Sequence, residues 1–313
     1  MMLAFQFPGQ GAQSADFLQR LPQHAVVAAT VDEASQALGL DVLTLDTADA
    51  LRSTIAVQIG LVVAGVAMVR LLADAQVTPH ISAGLSVGAY AAAVSCGALE
   101  FADALRMVRK RAELMESAYP SGYGLAAISG LTERQLETLA AQQAQDGLPP
   151  VYIGNVNAPR QIVMAGSDAA LDAVIERALA AGARKATHLA VSVPSHCELL
   201  ADAAAELIDY ARDVPFHAPQ SVYVGNRGGR PLHTAAAIRD DLATNMRQTV
   251  RWFDALTVML EMGAQVVVEA PPGQVLTDIV REQWPQTTVL ALSNIAPERW
   301  AATVRRRCGA AES

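Results

Sequence analysis

Short apolar runs alternate with longer amphipathic segments along the whole chain, a pattern that is typical of an α/β protein. Residues 3–7 and 265–269 are almost continuously apolar, as expected of strands that are buried on both faces of a parallel sheet. Residues 101–116 repeat apolar side chains at helical spacing, and a longer apolar helix is predicted within 48–74. After a strand at 221–224 and a glycine-rich turn, one helical run is predicted over 236–262.

The order of elements changes in the middle of the chain. Between residues 123 and 191 the pattern predicts a strand, a helix, two strands joined by a turn, a second helix and a last strand. This β-α-β-β-α-β order is that of a ferredoxin-like domain. We therefore predict a small ferredoxin-like domain at 123–191, inserted in a large α/β domain that is formed by residues 1–122 and 192–313.

Composition narrows the functional classes. Apolar residues make up 52% of the 313 residues and charged residues 17%, which is enough for a large core and unlike a disordered chain. The net charge of −8 argues against nucleic-acid binding. The spacing of the three cysteines indicates neither a disulfide framework nor a metal site. The N-terminus shows no basic segment followed by an apolar stretch, and the apolar run 59–69 is too short to span a bilayer. We expect a cytoplasmic protein without a metal and without a membrane partner.

Candidate chemistry begins at residues 84–88, which have the sequence Gly-Leu-Ser-Val-Gly. This is a G-x-S-x-G pattern between a predicted strand and a predicted helix, the setting of a nucleophile elbow in an α/β-hydrolase-like fold. In that setting Ser86 lies at a helix N-terminus, where N–H groups and the helix dipole favour a developing negative charge. The alternative is a small-residue turn with no catalytic role.

Four further positions have both a functional and a plain structural reading. The loop at 8–13 could bring backbone N–H groups to a ligand or be a simple turn. Gln58 could line a site or be a core residue bonded to backbone, and Arg111 could turn inward or lie on a solvated helix face. His196 follows a strand-like run and a proline, where it could be a general base or a structural histidine.

Taken together and in order, four stretches resemble the malonyl-CoA:acyl carrier protein transacylase family: FPGQGAQ (7–13), AGLSVGAY (83–90), the helix that carries Arg111, and VSVPSHCELL (191–200). The resemblance implies these site residues: a nucleophile (Ser86), a general base (His196), oxyanion-hole N–H groups (Gln10 and Val87), a malonyl-carboxylate ligand (Arg111), a histidine-orienting carbonyl (Arg251) and candidate pocket-lining residues (Leu85, Gln58 and Asn157). It implies no bound cofactor. The substrates would be malonyl-CoA and the prosthetic arm of a carrier protein.

The sequence departs from the common family pattern at two positions. Leu85 replaces the usual histidine before the nucleophile, and Ala89 stands where an acidic residue is common. With the EAPPGQVLT stretch (269–277), these features resemble the epsilon subunit of malonate decarboxylase, which implies transfer of malonyl to the decarboxylase carrier subunit. The alternative is the transacylase of fatty-acid synthesis.

Two rival classes stay open from the sequence. A serine esterase or thioesterase would have the same elbow, and a non-catalytic scaffold could have kept the fold. The sequence leaves open the identity of the carrier, its docking surface, the oligomeric state and the effect of Leu85.

Overall fold

The computed structural model describes residues 1–309. Within them lie ten strands: β1 (Met2–Phe7), β2 (Ile81–Gly84), β3 (Tyr123–Ser129), β4 (Val151–Ala158), β5 (Gln161–Ser167), β6 (Lys185–His188), β7 (Val222–Val224), β8 (Pro231–Leu232), β9 (Ala264–Glu269) and β10 (Thr288–Ala291). The same residues form eleven α-helices: α1 (Ala25–Leu38), α2 (Thr54–Asp74), α3 (Gly88–Ser95), α4 (Phe101–Ala118), α5 (Glu133–Gln145), α6 (Asp168–Ala180), α7 (Ala201–Ala211), α8 (Ala235–Thr244), α9 (Trp252–Glu261), α10 (Val275–Gln283) and α11 (Trp300–Arg307).

The predicted α/β class and its parallel sheet are confirmed. The large sheet has the strand order β10-β9-β1-β2-β7-β8, and every neighbouring pair is parallel except β7 with the two-residue β8. Successive side chains of β1 enter different cores, since Phe5 and Phe7 join the cluster that includes α2 and α4, and Ala4 joins the cluster of α9 and α10. The sheet is therefore covered by helices on both faces. Ligands of such sheets bind at the edge formed by the carboxyl ends of the strands.

The small sheet has the predicted ferredoxin-like arrangement. Strands β3 to β6 are all antiparallel neighbours in the order β4-β5-β3-β6, with α5 and α6 as the two connecting helices. These elements fall inside the predicted range 123–191. A separate cluster of buried side chains, which includes Ile128, Leu136, Ile162 and Leu171, forms the core of this unit.

The predicted continuous helix over 236–262 is wrong in its middle. After α8 the chain makes a short 3-10 turn at Asn245–Arg247 and then runs extended to Arg251 before α9 begins. Val250 exchanges backbone hydrogen bonds with β4, because its N–H donates to Gly154 and its carbonyl accepts from Val156. This pairing with the small sheet outweighs the local helical pattern.

Helix α2 is the single helix of the described residues that is long and apolar enough to cross a membrane by composition. Within the fold, 78% of its most apolar window is buried, and it packs against α1, α3 and α4. It is therefore placed as the central helix of the larger core.

Candidate active site

Ser86 lies on a sharp turn between β2 and α3, as the elbow prediction requires. Its φ of 55° is in the left-handed region, which disfavours residues that have a Cβ. A Cβ on Gly84 would lie 2.0 Å from the carbonyl carbon of Gly88, and a Cβ on Gly88 would lie 2.3 Å from the carbonyl oxygen of Phe7. Both positions therefore require glycine for the turn to close this tightly against β1.

The structure brings Ser86 and His196 together although they are far apart in sequence. The Ser86 hydroxyl lies 2.7 Å from His196 Nε2, and His196 Nδ1 lies 2.7 Å from the backbone carbonyl oxygen of Asn245. Since a carbonyl can only accept, Nδ1 carries the proton and Nε2 is free to accept the proton of the hydroxyl. This geometry allows His196 to act as a base toward the Ser86 hydroxyl while the Asn245 carbonyl orients the imidazole, and these roles stay predictions.

The prediction that the carbonyl of Arg251 orients the histidine is wrong. That carbonyl accepts the N–H of Ala255 in the first turn of α9, and the Arg251 side chain pairs with Glu133 at 2.7 Å. The extended segment after Asn245 carries residue 251 away from the histidine. The 3-10 turn at Asn245–Arg247 places the Asn245 carbonyl there instead.

Arg111 turns inward from α4 and is fully buried. Its guanidinium donates to Gln58 Oε1 at 2.6 Å, to Ser86 Oγ at 3.2 Å and to Asn245 Oδ1 at 3.2 Å. In the described part of the chain its Nε has no hydrogen-bond partner. Within residues 1–309, no carboxylate lies within 4.0 Å of Arg111. A buried cation without an anion is costly, and this one lies beside the reactive hydroxyl.

Burial and the nearby Arg111 guanidinium lower the pKa of His196 to about 3. Burial also lowers the pKa of Arg111 below its ordinary value. The imidazole therefore stays neutral, and able to accept a proton, throughout the range in which an exposed histidine would become charged.

This shift predicts an unusual pH dependence. The rate constant kcat/KM should show no inflection near pH ~6.5, the ordinary histidine pKa, when measured from about pH 8 to about pH 5. In the same range the unfolded chain binds a proton at residue 196 that the folded chain does not, so the free energy of unfolding should fall as pH is lowered from ~6.5 toward the folded pKa. An activity inflection near pH ~6.5 would contradict the buried, neutral imidazole.

The predicted oxyanion-hole donors have unused N–H groups. In the described part of the chain, neither the N–H of Gln10 nor that of Val87 donates a hydrogen bond. Val87 is the residue before the first turn of α3, where backbone N–H groups point away from the helix. The loop of Gln10 runs close to the elbow, because a Cβ on its neighbour Gly9 would lie 2.8 Å from Leu85 Cδ2. Their role as oxyanion donors stays a prediction.

The three candidate pocket-lining residues have different surroundings. Gln58 is buried, and its Oε1 accepts a hydrogen bond from Arg111. This contact favours the interpretation that Gln58 lines the site over that of a core glutamine bonded to backbone. Leu85 packs against the Gly9 loop and the apolar cluster of α9 and α10. Asn157 has a buried Oδ1 without a partner and makes no hydrogen bond to Ser86, His196 or Arg111 within residues 1–309.

Sequence reasoning missed two asparagines. Asn245 makes three hydrogen bonds in the site. Its backbone carbonyl accepts from His196, its Oδ1 accepts from Arg111, and its Nδ2 donates to the Ser86 carbonyl at 3.3 Å. Asn226 contacts the backbone of the elbow. The sequence places Asn226 in a predicted turn and Asn245 inside the predicted helix over 236–262, and neither position marks a functional residue. Among the described residues, no group of three or more histidine, cysteine or carboxylate side chains could hold a metal.

The fold and the pairing of Ser86 with His196 are those expected of an α/β enzyme for acyl chemistry on a serine. The acyl transferase domain model matches residues 4–311. The malonyl CoA-acyl carrier protein transacylase of Escherichia coli strain K12 is 36% identical over 298 residues, which cover 93% of this chain and 95% of the relative. The chain belongs to the malonyl CoA-acyl carrier protein transacylase family.

Solved structures agree with this assignment. The transacylase of the same name from Coxiella burnetii superposes with a TM-score of 0.92 at 32% identity and covers 98% of each chain. A malonyl-transacylase described in complex with its type II PKS acyl-carrier protein superposes with a TM-score of 0.91 at 33% identity, covering 97% of this chain and 100% of that one.

Proposed function

We propose that the protein transfers a malonyl group from malonyl-CoA to the thiol of an acyl carrier protein through a malonyl ester of Ser86. The observation that carries this proposal is Arg111, a buried guanidinium 3.2 Å from Ser86 Oγ that has no carboxylate partner among residues 1–309. A planar guanidinium binds a carboxylate by two charge-assisted hydrogen bonds. An acyl group with a free carboxylate supplies the anion that this site lacks.

The proposed first half-reaction uses the groups described above. His196 Nε2 takes the proton of Ser86, and Oγ attacks the thioester carbonyl carbon. The N–H groups of Gln10 and Val87 would donate to the oxyanion that forms. When the tetrahedral intermediate collapses, the C–S bond breaks and the CoA thiolate takes the proton from His196.

The second half-reaction is the reverse with a different thiol. His196 takes the proton of the carrier thiol, the sulfur attacks the malonyl ester, and the C–O bond to Ser86 breaks with return of the proton to Oγ. Each proton and electron pair is supplied by substrate or by these side chains, so we propose no bound cofactor or metal.

The partner of the second half-reaction is an acyl carrier protein. The reported relatives all carry the transacylase name, and one related structure is a complex with an acyl-carrier protein. These relatives favour the alternative prediction, the malonyl-CoA:acyl carrier protein transacylase of fatty-acid synthesis, over the main prediction of an epsilon subunit of malonate decarboxylase. Assay of holo-carriers of both kinds tests the choice, since the true carrier should accept malonyl with the higher kcat/KM.

The thioesterase alternative is tested by the fate of the malonyl group. A transferase must exclude water from its acyl-enzyme until a thiol arrives. With malonyl-CoA alone we expect at most a single equivalent of released CoA per enzyme, and multiple turnovers only after holo-carrier is added. Rapid, continuous release of CoA and free malonate without carrier would instead show a hydrolase.

A further inference from the structure

Asn226 follows β7, and its carboxamide bridges the two sides of the turn that carries Ser86. Its Oδ1 accepts the backbone N–H of Ser86 at 2.8 Å, and its Nδ2 donates to the backbone carbonyl of Gly84 at 2.7 Å. The residue is 3% exposed, so water does not compete for these groups. The Asn226 side chain therefore links Gly84 and Ser86 across the turn between β2 and α3.

The bridged turn is one that the backbone does not favour on its own. Ser86 has a φ of 55°, and its N–H lies just beyond the last residue of β2, outside the strand ladder. Without Asn226 the partly buried N–H of Ser86 would lose its hydrogen-bond acceptor. The bridge also occupies the N–H of Ser86, which leaves the N–H of Val87 as the free donor next to the nucleophile.

Asn226 is itself fixed by the buried carboxylate of Asp241 on α8. The backbone N–H groups of Asn226 and Arg227 donate to Asp241 at 3.0 and 3.1 Å, and the Tyr223 hydroxyl donates to it at 2.9 Å. A Cβ on Gly225 would lie 2.9 Å from Asp241 Oδ1, so glycine permits this approach. Helix α8 thus anchors the bridge and leads directly into Asn245, which contacts His196 and Arg111.

We propose that Asn226 is a positioning residue for acyl transfer, which holds the elbow so that Ser86 Oγ stays at hydrogen-bond distance from His196. The two bonds need one acceptor and one donor on the same planar group, and a carboxamide supplies both. The inference rests on the proposed role of Ser86 as the nucleophile.

The decisive variant is Asn226→Asp, which keeps the shape and the acceptor and loses the donor. When ionised, the new carboxylate places an oxygen against the Gly84 carbonyl, so kcat for malonyl transfer should fall roughly 10–100-fold at about pH 8 with little change in KM for malonyl-CoA. When protonated, the new carboxyl regains an O–H donor. Its burial beside a carbonyl raises its pKa, so activity relative to wild type should recover by at least ~10-fold at about pH 5.

Tyr223→Phe is the matched control. It removes one hydrogen bond from the same buried Asp241 network and leaves both bonds of the bridge intact. Because the N–H groups of Asn226 and Arg227 still donate to Asp241, Tyr223→Phe should lower Tm but reduce kcat far less than Asn226→Asp does, and to the same extent at both pH values. If Asn226→Asp does not fold, Asn226→Ser, whose side chain is too short to reach both atoms, should show the loss of kcat beyond that of Tyr223→Phe.

The proposal is overturned if the asparagine variants keep the wild-type kcat at about pH 8. It is also overturned if the loss of kcat for Asn226→Asp is independent of pH. That result would mean that Asn226 stabilises the fold without positioning Ser86. Ser86→Ala, assayed in parallel, separates the two inferences. Full transfer by Ser86→Ala would refute the nucleophile itself, whereas an inactive Ser86→Ala leaves the asparagine comparison to test positioning.

Discussion

Incubation with malonyl-CoA is expected to add the mass of one malonyl group to the peptide that carries Ser86. Ser86→Ala should lose both this adduct and transfer to the carrier, because in the proposed mechanism the acyl group is bound to Oγ. His196→Ala should lower kcat ~10²–10⁴-fold, the usual contribution of a general base. Intact-protein and peptide mass spectrometry, with a transfer assay on the same samples, measure both effects.

A neighbouring serine provides the control. Ser95 lies on α3, and its hydroxyl is hydrogen-bonded to the Ser82 hydroxyl at 3.0 Å rather than to His196. Ser95→Ala should keep the adduct and its rate of formation. A malonyl mass on any other peptide, or full activity of Ser86→Ala, would contradict the proposed mechanism.

Arg111→Ala is expected to change the preference between substrates rather than to weaken all activity. Hydrogen bonds to charged groups are worth about 1.5–3 kcal/mol each, so kcat/KM for malonyl-CoA should fall at least ~10-fold. The acetyl group of acetyl-CoA has no carboxylate, and its transfer should hold or rise once the buried guanidinium is gone. Arg111→Lys should recover part of the malonyl activity, since an ammonium has the charge without the planar fork.

The comparison needs an arginine of the same helix that does not face the site. Arg109 pairs with Glu113 at 2.9 Å and is substantially exposed, so Arg109→Ala should leave both substrates unchanged. The measurement is kcat/KM for malonyl-CoA and acetyl-CoA in all four proteins. An equal loss for the two substrates in Arg111→Ala would refute the carboxylate contact, because general destabilisation does not discriminate between acyl groups.

The sequence predicted the features that depend on local pattern. Continuous apolar runs marked β1 and β9, alternating elements marked the inserted small sheet, and two glycines around Ser86 marked the elbow. Each of these follows from a few adjacent residues whose side chains must be buried or absent. Arg111 and His196 were placed correctly through the order of motifs rather than through any one of them.

The missed features depend on contacts between distant segments. The helical pattern continues through Val250, yet hydrogen bonds to β4 keep this residue extended, and the carbonyl beside His196 is consequently that of Asn245. Asn226 reaches a partner 140 positions away in sequence. No local period or spacing reports such a pairing, so neither the Asn245 carbonyl nor the Asn226 bridge can be predicted from local pattern. The assignment of the Arg251 carbonyl rests on the family resemblance alone.

Ser86 and His196 share the feature that each has a left-handed backbone, with φ values of 55° and 68°. Glycine would adopt these angles without steric cost, so the backbone conformation by itself would favour glycine at both positions. The two side chains that the proposed chemistry needs are therefore also two local sources of instability, a trade-off between stability and activity that is recurrent in enzymes. Efforts to make this protein more heat-resistant should leave both positions alone and seek their gains elsewhere in the chain.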